Sequence, residues 1–345
     1  MRRRALLSSV YMRPDTPDVP DIPDVPSFDY VNYLTIEALE TLDVSLSGSD
    51  CYYSIDGGGW VLLPAGDSTP TVPMGTWLHF KRYDSVNSLG TFSVSGKFNL
   101  RGNCMSMLYG DNAAEYDSVG NRVFEDLFRG SRVVSVDSGF LPATTLAEYC
   151  YYNMFNSCKS LVNAPELPAT TLDDRCYYSM FQGCTSLVNA PELPATTLAD
   201  YCYASMFSGC TSLVNAPELP ATTLAEYCYY NMFNSCKSLV NAPELPATTL
   251  ASACHQHMFY GCTSLVNAPE LPATTLAKFC YNYMFYGCKK LSYIKALFTT
   301  TPSSGYTTNW VNGVASSGTF VKNKHATWNV TGDNGIPTGW TVKTE

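Results

Sequence analysis

The central part of the chain repeats one pattern of apolar and polar positions at a fixed step of 26 residues. The block Leu-Val-Asn-Ala-Pro-Glu-Leu-Pro-Ala-Thr-Thr-Leu begins at Leu161 and recurs unchanged. Its other copies begin at Leu187, Leu213, Leu239 and Leu265. Residues 141–166 and 219–244 are identical. One such unit cannot bury its apolar face alone, whereas stacked units share a continuous core, so six stacked repeats are predicted over residues 141–295.

Within each unit the pattern predicts a short strand followed by a short helix. Prolines such as Pro165 keep the extended stretch short, because proline lacks the N–H group that a strand ladder requires. Residues 173–181 fit one or two helical turns, since Leu172, Cys176 and Met180 then fall on one face of a helix. The predicted fold class is therefore an α/β solenoid.

The sequence before and after the repeats predicts additional domains. Residues 28–100 carry turn signals such as Asp-Gly-Gly-Gly between apolar runs, which predicts a small all-β sandwich domain. Its candidate strands are Tyr33–Ile36, Asp43–Leu46, Cys51–Ile55, Trp60–Leu63, Trp77–Arg82 and Thr91–Phe98. Residues 101–140 contain a degenerate repeat and are predicted to be an N-terminal capping repeat, and residues 296–345 a C-terminal cap.

Residues 1–27 form a third kind of segment, an N-terminal tail followed by a Pro-Asp stretch. Proline at every third position of residues 14–26 favours polyproline II and a stiff spacer of ~40 Å. We interpret it as a linker or as a stalk that attaches residues 1–13 to a larger particle. The basic start is not followed by an apolar run, so no standard signal peptide and no membrane span are expected. Localisation stays open between virion-associated, cytoplasmic and, by a non-standard route, cell-surface.

The cysteines follow the repeat as well. Twelve of the 14 cysteines occupy two positions of the unit, which predicts a column of small buried core residues rather than a disulfide framework. Disulfides are the alternative. The predicted core ladder comprises Cys150, Cys176, Cys202, Cys228, Cys254, Cys280, Cys158, Cys184, Cys210, Cys236, Cys262 and Cys288.

The motif Met-Phe-x-x-Cys-x-x-Leu-x-x-Ala-Pro-x-Leu-Pro resembles the treponemal-type (BspA-like) leucine-rich repeats of Bacteroides-type bacteria. Residues 97–107 and 318–323 are similar to the flanks of such arrays in those bacteria and in their phages. The resemblance implies a right-handed leucine-rich-repeat solenoid with its strands on the concave side. It also implies roles in adhesion and in binding host proteins or glycans, and it supplies no catalytic residue.

Charge and motif content argue against catalysis and nucleic-acid binding. The net charge is -9, and beyond the basic start no cluster of lysine and arginine is present to attract a phosphate backbone. No nucleotide-binding, metalloprotease or hydrolase motif occurs, so no enzyme activity and no cofactor are expected. No metal site is expected either, because cysteines eight residues apart do not form a zinc site within one unit. His255 and His257 are interpreted as exposed polar substitutions. A repeated glutamate is interpreted as a solvated edge rather than a cation track, at Glu166, Glu192, Glu218, Glu244 and Glu270.

Variation between the units identifies a candidate binding face. The differences concentrate on the predicted helical segment, which also carries most of the repeat tyrosines, and tyrosine suits contact surfaces. The candidate binding residues are Tyr151, Tyr152, Tyr177, Tyr178, Tyr203, Tyr229, Tyr230, Tyr281 and Tyr283. Two alternatives stay open: about half of these tyrosines pack against the next coil, or the partner binds the strand face at Asn163.

The predicted function is a non-enzymatic binding or adhesion module that presents the repeat surface to a protein or glycan partner. Such a module would belong to a cell surface or to a virion, as a fibre or decoration protein. The alternative is a purely structural spacer, or a phage decoration protein, that has no ligand.

Overall fold

The computed structural model of the protein describes residues 30–82 and 88–345. The predicted stalk and the attachment segment 1–13 lie outside the described residues. The strands are β1 (Leu34–Ala38), β2 (Val44–Leu46), β3 (Cys51–Ile55), β4 (Val61–Leu63), β5 (Trp77–Lys81), β6 (Phe92–Val94), β7 (Phe98–Gly102), β8 (Ser118–Val119), β9 (Val133–Val136), β10 (Thr145–Leu146), β11 (Asn267–Leu271), β12 (Tyr293–Ala296), β13 (Thr319–Lys322) and β14 (Thr341–Thr344). Within residues 30–82 and 88–345, helical structure is limited to α1 (Ser106–Tyr109) and to 3-10 turns at Tyr30–Asn32, Gly110–Glu115 and Ser138–Phe140.

The chain forms a β-solenoid of about 9 turns with a period of ~26 residues, so the predicted solenoid is confirmed. We number the six coils that carry the repeat from the N-terminal end. They are coil 1 (141–166), coil 2 (167–192), coil 3 (193–218), coil 4 (219–244), coil 5 (245–270) and coil 6 (271–296). Each coil contributes one rung, and the rungs of coils 2 to 5 pair in parallel through the repeated asparagine, as between Asn215 and Asn241.

The N-terminal strands and the solenoid share a sheet. The six-stranded sheet has the order β4-β3-β5-β1-β7-β9, and its last pair is parallel. Asn99 of β7 pairs with Ser135 of β9, which in turn bridges to Asn163 of coil 1. Strands β2 and β6 form a second, two-stranded antiparallel sheet. Each of the six strands predicted in this region overlaps an observed strand, and the run Thr91–Phe98 is divided between β6 and the start of β7.

The rung pattern continues beyond the last full repeat. Strands β11, β12, β13 and β14 form a four-stranded sheet in which every neighbouring pair is parallel. Tyr293 of β12 pairs with Thr319 of β13, which pairs with Thr341 of β14. The segment predicted as a C-terminal cap therefore adds further rungs to the same column of strands.

The helix predicted over residues 173–181 does not form. This segment and its equivalents are a continuous series of turns, which we call the turn ribbon (residues 147–158 in coil 1). In coil 1 the backbone has positive φ at Tyr149, Asn153 and Ser157, at 58°, 54° and 63°. A right-handed helix has negative φ at every residue, so a left-handed residue at every fourth position breaks it.

Hydrogen bonds between coils explain why the ribbon is preferred over a helix. Alternate N–H groups donate to the carbonyl three residues earlier, as from Cys150 to Ala147 at 3.3 Å. The N–H groups between them donate to the next coil, as from Tyr151 to the carbonyl of Cys176 at 2.9 Å. Both sets of backbone groups are thereby satisfied in a buried setting, where an unpaired group would be costly. Sequence periodicity could not reveal this pattern, because the bonds join residues 25 positions apart.

The core consists of identical side chains stacked from coil to coil. A row of phenylalanines runs through it with ring centroids 5.6–5.9 Å apart and planes within 11° of parallel. Its members are Phe128, Phe155, Phe181, Phe207, Phe233, Phe259 and Phe285. All twelve cysteines of the predicted ladder are fully buried free thiols. One of their two columns also ties coils together, since the thiol of Cys184 donates to the carbonyl of Phe155 at 3.1 Å.

The left-handed positions of the ribbon give a testable prediction. Gly209 has φ 76° and room for a Cβ, the nearest atoms lying 3.7 Å away, so alanine there meets backbone strain but no clash. We expect Gly209→Ala to lower the free energy of unfolding by about 1–2 kcal/mol, measured by chemical denaturation.

Gly120 provides the matched control. It also has room for a Cβ, with the nearest atom at 3.6 Å, but its φ is not in the left-handed region. Gly120→Ala should leave the free energy of unfolding unchanged or raise it by up to about 1 kcal/mol. Equal losses in both variants would contradict the role assigned to the left-handed backbone.

Candidate interaction surface

Three rows of side chains run along the turn ribbon, with one residue from each coil. The buried row consists of Tyr151, Tyr177, Tyr203, Tyr229, His255 and Tyr281. The first outer row consists of Tyr149, Arg175, Tyr201, Tyr227, Ala253 and Phe279. The second outer row consists of Tyr152, Tyr178, Ala204, Tyr230, Gln256 and Asn282. Because equivalent residues of successive coils stand above one another, each row is a column parallel to the solenoid axis.

Five of the nine predicted binding tyrosines belong to the buried row and are core residues. Tyr151, Tyr177, Tyr203, Tyr229 and Tyr281 are each at most 2% exposed. Neighbouring rings of this row lie 5.7–6.1 Å apart in a near-parallel stack. Burial raises the pKa of the Tyr177 hydroxyl well above its usual range. These side chains cannot contact a partner in this structure. They pack against the next coil, which is the alternative that the sequence left open for about half of the tyrosines.

The other four predicted tyrosines lie at the surface of the ribbon. Tyr152, Tyr178 and Tyr230 belong to the second outer row, and Tyr283 lies beside it; all four are partly exposed. The rings of Tyr152 and Tyr178 stack at 5.0 Å. The first outer row was not among the predicted binding residues, although it also varies between coils. Variation together with an aromatic residue at the equivalent position of most coils is the signal that could have identified it.

Both ribbon histidines take part in ring stacking. His255 was predicted to be an exposed substitution, and this is wrong: it is 2% exposed and occupies the buried row between Tyr229 and Tyr281. Desolvation lowers its pKa to about 3, and its Nδ1 lies 3.2 Å from the Cys254 sulfur. His257 is partly exposed and stacks on Tyr283 at 4.8 Å. Among the described residues, no group of three or more His, Cys, Asp or Glu side chains could hold a metal ion.

Arginine side chains lie against the first outer row. The guanidinium of Arg122 is 3.9 Å from the centroid of the Tyr149 ring. The guanidinium of Arg175 lies between two rings, 5.4 Å from Tyr149 and 4.5 Å from Tyr201. These distances fall within the range of cation–π attraction. The N-terminal half of the row therefore alternates aromatic rings with planar cations.

A shallow depression of about 450 Å³ opens on the ribbon around coil 5. It is lined by Tyr201, Tyr227, Tyr230, Gln256, Phe279 and Asn282. Near it, two coils carry a small residue where their neighbours carry an aromatic one. Ala253 takes the first-row position of coil 5, and Ala204 takes the second-row position of coil 3; both alanines are fully buried. The depression thus combines aromatic walls with two amide side chains.

The repeated glutamates form an exposed acidic edge on another side of the solenoid. Glu166, Glu192, Glu218, Glu244 and Glu270 are all exposed and line shallow grooves together with the repeated prolines. Lys295 ends this edge, since its Nζ lies 3.0 Å from Glu270 and 2.8 Å from Glu345. The two carboxylates raise the pKa of Lys295. The same few residue types line the grooves in coil after coil, so the edge offers little variety of contacts.

The rung face is the second candidate for partner contact. It presents a column of half-exposed valines, which are 36–40% exposed, beside the exposed asparagine ladder. The valines are Val162, Val188, Val214, Val240 and Val266. Asn215 donates from Nδ2 to Oδ1 of Asn189 at 3.4 Å, so part of the ladder's hydrogen-bonding capacity is used within the solenoid. This face has the same chemistry in each coil.

The comparisons with known proteins give no match. No family model, no curated protein and no solved structure matches the chain. Across residues 30–82 and 88–345, none of the helices has the length and apolar character that crossing a membrane requires. The assignment of a role therefore depends on the surfaces described above.

The buried histidine gives a pH-dependent prediction. The pKa of His255 is about 3 in the folded protein and ~6.5 when unfolded, so the unfolded state binds more protons between these values. The stability associated with neutral His255 is complete above pH ~6.5 and is lost as the pH falls towards 3. Between pH 7 and pH 5 this effect should lower the wild type's free energy of unfolding by about 2 kcal/mol. His255→Tyr, which restores the tyrosine of the other coils, should not show this loss.

Urea unfolding at pH 7, 6 and 5 provides the measurement. His325→Tyr is the matched control, because His325 is exposed and lies outside the stacked rows. The control should follow the wild type. If His255→Tyr shows the same loss on acidification as the wild type, the stacked position of His255 is not the source of acid sensitivity.

Proposed function

We propose that the protein is a non-enzymatic binding module whose outer aromatic rows contact a protein or glycan partner. The observation that carries this proposal is the partial exposure of the seven aromatic side chains in the two outer rows, on a backbone that is hydrogen-bonded from coil to coil. Rings held in such an array lose little conformational freedom on binding, which favours affinity. Tyrosine also offers an apolar face and a hydroxyl to the same partner.

The distribution of variation supports the same role. The rung block and the buried stack repeat almost unchanged, as stacking requires, whereas the outer rows contain tyrosine, arginine, phenylalanine, glutamine and asparagine. A partner that contacts several coils would meet a different set of groups at each one. Specific recognition needs such differences between competing contacts.

The leucine-rich classification belongs to this proposal as well. The resemblance to BspA-like repeats would make the protein an adhesion module of Bacteroides-type bacteria or of their phages. Residues 1–13 would then hold it on a larger particle, as a surface or virion-associated protein. Nucleic acid is not proposed as a partner, because the net charge is -9.

A structural spacer without a ligand is the second candidate. The observation that favours it is the continuous phenylalanine stack, which together with the bonds between coils makes a stiff rod. Such a spacer would need neither the aromatic rows nor their variation. The two functions therefore differ in whether the outer rows contact a ligand.

Changes in the second outer row test the binding role. Tyr178→Ala together with Tyr230→Ala places at coils 2 and 4 the residue that coil 3 carries as Ala204, so the fold should tolerate both. We expect binding to a partner found by screening purified surface proteins and a glycan array to weaken at least about tenfold. Stability should change by less than about 1 kcal/mol per residue.

Val188→Ala with Val240→Ala is the matched control, since these valines belong to the rung face of the same two coils. Binding that survives the tyrosine changes but is lost in the control would move the site to the rung face. A complete absence of ligands, combined with tight incorporation of the chain into a particle, would support the spacer.

A further inference from the structure

One position of the first outer row holds a cation between two aromatic rings. In coil 2 the row position is held by Arg175, and the positions on either side of it are Tyr149 and Tyr201. The guanidinium lies between the two rings, at 5.4 and 4.5 Å from their centroids. Rings two coils apart are about 9.6 Å apart along the axis, so a planar cation midway reaches both within cation–π range. The solenoid thus shows which chemical group fits between two row aromatics.

Coil 5 repeats this arrangement without the cation. Its row position is Ala253, and the flanking positions are Tyr227 and Phe279, again two coils apart. The backbone is equivalent at the two sites, with φ 56° at Arg175 and 53° at Ala253. The methyl group of Ala253 is buried, so no side chain from this position projects between the rings. The depression of about 450 Å³ opens beside the same two rings.

The groups around the depression suit a hydrogen-bonding cation. Gln256 and Asn282 line it and carry amide oxygens, and the Asn282 oxygen already accepts the N–H of Thr308 at 2.8 Å. Glu226 is exposed on coil 4, next to Tyr227 in the chain. Lys278 stands on the other side, with its Nζ 4.9 Å from the Phe279 centroid. The Phe279 ring therefore already attracts one cation, and Lys278 should reduce the affinity for a second.

We propose that the depression over coil 5 binds the guanidinium of an arginine side chain that belongs to a protein partner. The proposal rests on the proposed binding function, because it takes the partner to be a protein that contacts the outer rows. The arginine enters between Tyr227 and Phe279 and repeats the contacts that Arg175 makes within the chain. The planar guanidinium stacks on both rings, whereas a compact ammonium group lacks the flat shape for such stacking.

The experiment uses the full chain and a small probe, N-acetyl-arginine amide, followed by NMR shifts of the aromatic side chains. The citrulline analogue is the matched control, since it has the same shape and no charge. N-acetyl-lysine amide and methyl glucoside are the other two probes that are compared with it. We expect one site with millimolar affinity for the arginine probe and at least tenfold weaker binding of the other three. Lys278→Gln should strengthen arginine binding several-fold.

Two substitutions each give one coil the first-row residue type of the other: coil 5 receives the arginine of coil 2, and coil 2 receives the alanine of coil 5. Ala253→Arg should place an internal guanidinium between Tyr227 and Phe279 and abolish binding of the probe. Arg175→Ala should open the equivalent interval between Tyr149 and Tyr201 and raise the number of sites from one to two. Thermal unfolding verifies that each variant is folded. The second variant tests the proposal even if the first does not fold, because it adds a site instead of removing one.

Unchanged probe binding in folded Ala253→Arg would overturn the proposal. Equal binding of the citrulline probe, or an unaltered number of sites in Arg175→Ala, would overturn it as well. Preferred binding of methyl glucoside would assign the depression to a sugar. The arginine site and the broader function can fail separately: a partner that is lost in the Tyr178→Ala, Tyr230→Ala variant but retained in Ala253→Arg would leave the binding role intact and reject only the arginine site.

Discussion

The structure depends on backbone hydrogen bonds that run from one coil to the next through the turn ribbon. Every second N–H of the ribbon donates to the following coil, and the intervening ones close turns within their own coil. This division requires a left-handed residue at every fourth position, which costs energy at each non-glycine residue. Because the bonds along the stack recover that cost only when neighbouring coils are in register, the ribbon is stable as an array and not as a single coil.

Register has a direct consequence for the side chains. Once the coils are aligned through their backbones, equivalent residues stand one coil spacing apart, and only residues that pack well against their own copies suit the interior. Flat rings and small thiols meet this condition, which explains the stacks of phenylalanine and tyrosine and the two cysteine columns. His255 is accepted in the buried row because it is also a flat ring, at the expense of staying uncharged.

The outer rows are free of this requirement, and the candidate site lies there. Arg175 and Ala253 occupy equivalent positions with nearly the same φ, yet one fills the interval between two rings and the other leaves it open. A partner that contacts the ribbon would therefore meet aromatic rings in fixed positions, with openings set by individual substitutions. The rung face and the acidic edge repeat nearly the same groups from coil to coil and lack such local differences.

The sequence by itself determined the period, the stacking, the burial of the cysteine columns and the strands that precede the first coil, because these follow from patterns local to one repeat. Only the tertiary structure decided that residues 173–181 form turns and not a helix, since the decisive bonds join residues 25 positions apart. It also decided which tyrosines are accessible. Tyr177 and Tyr178 are neighbours in the chain, but the turn ribbon directs the first into the core and the second to the surface.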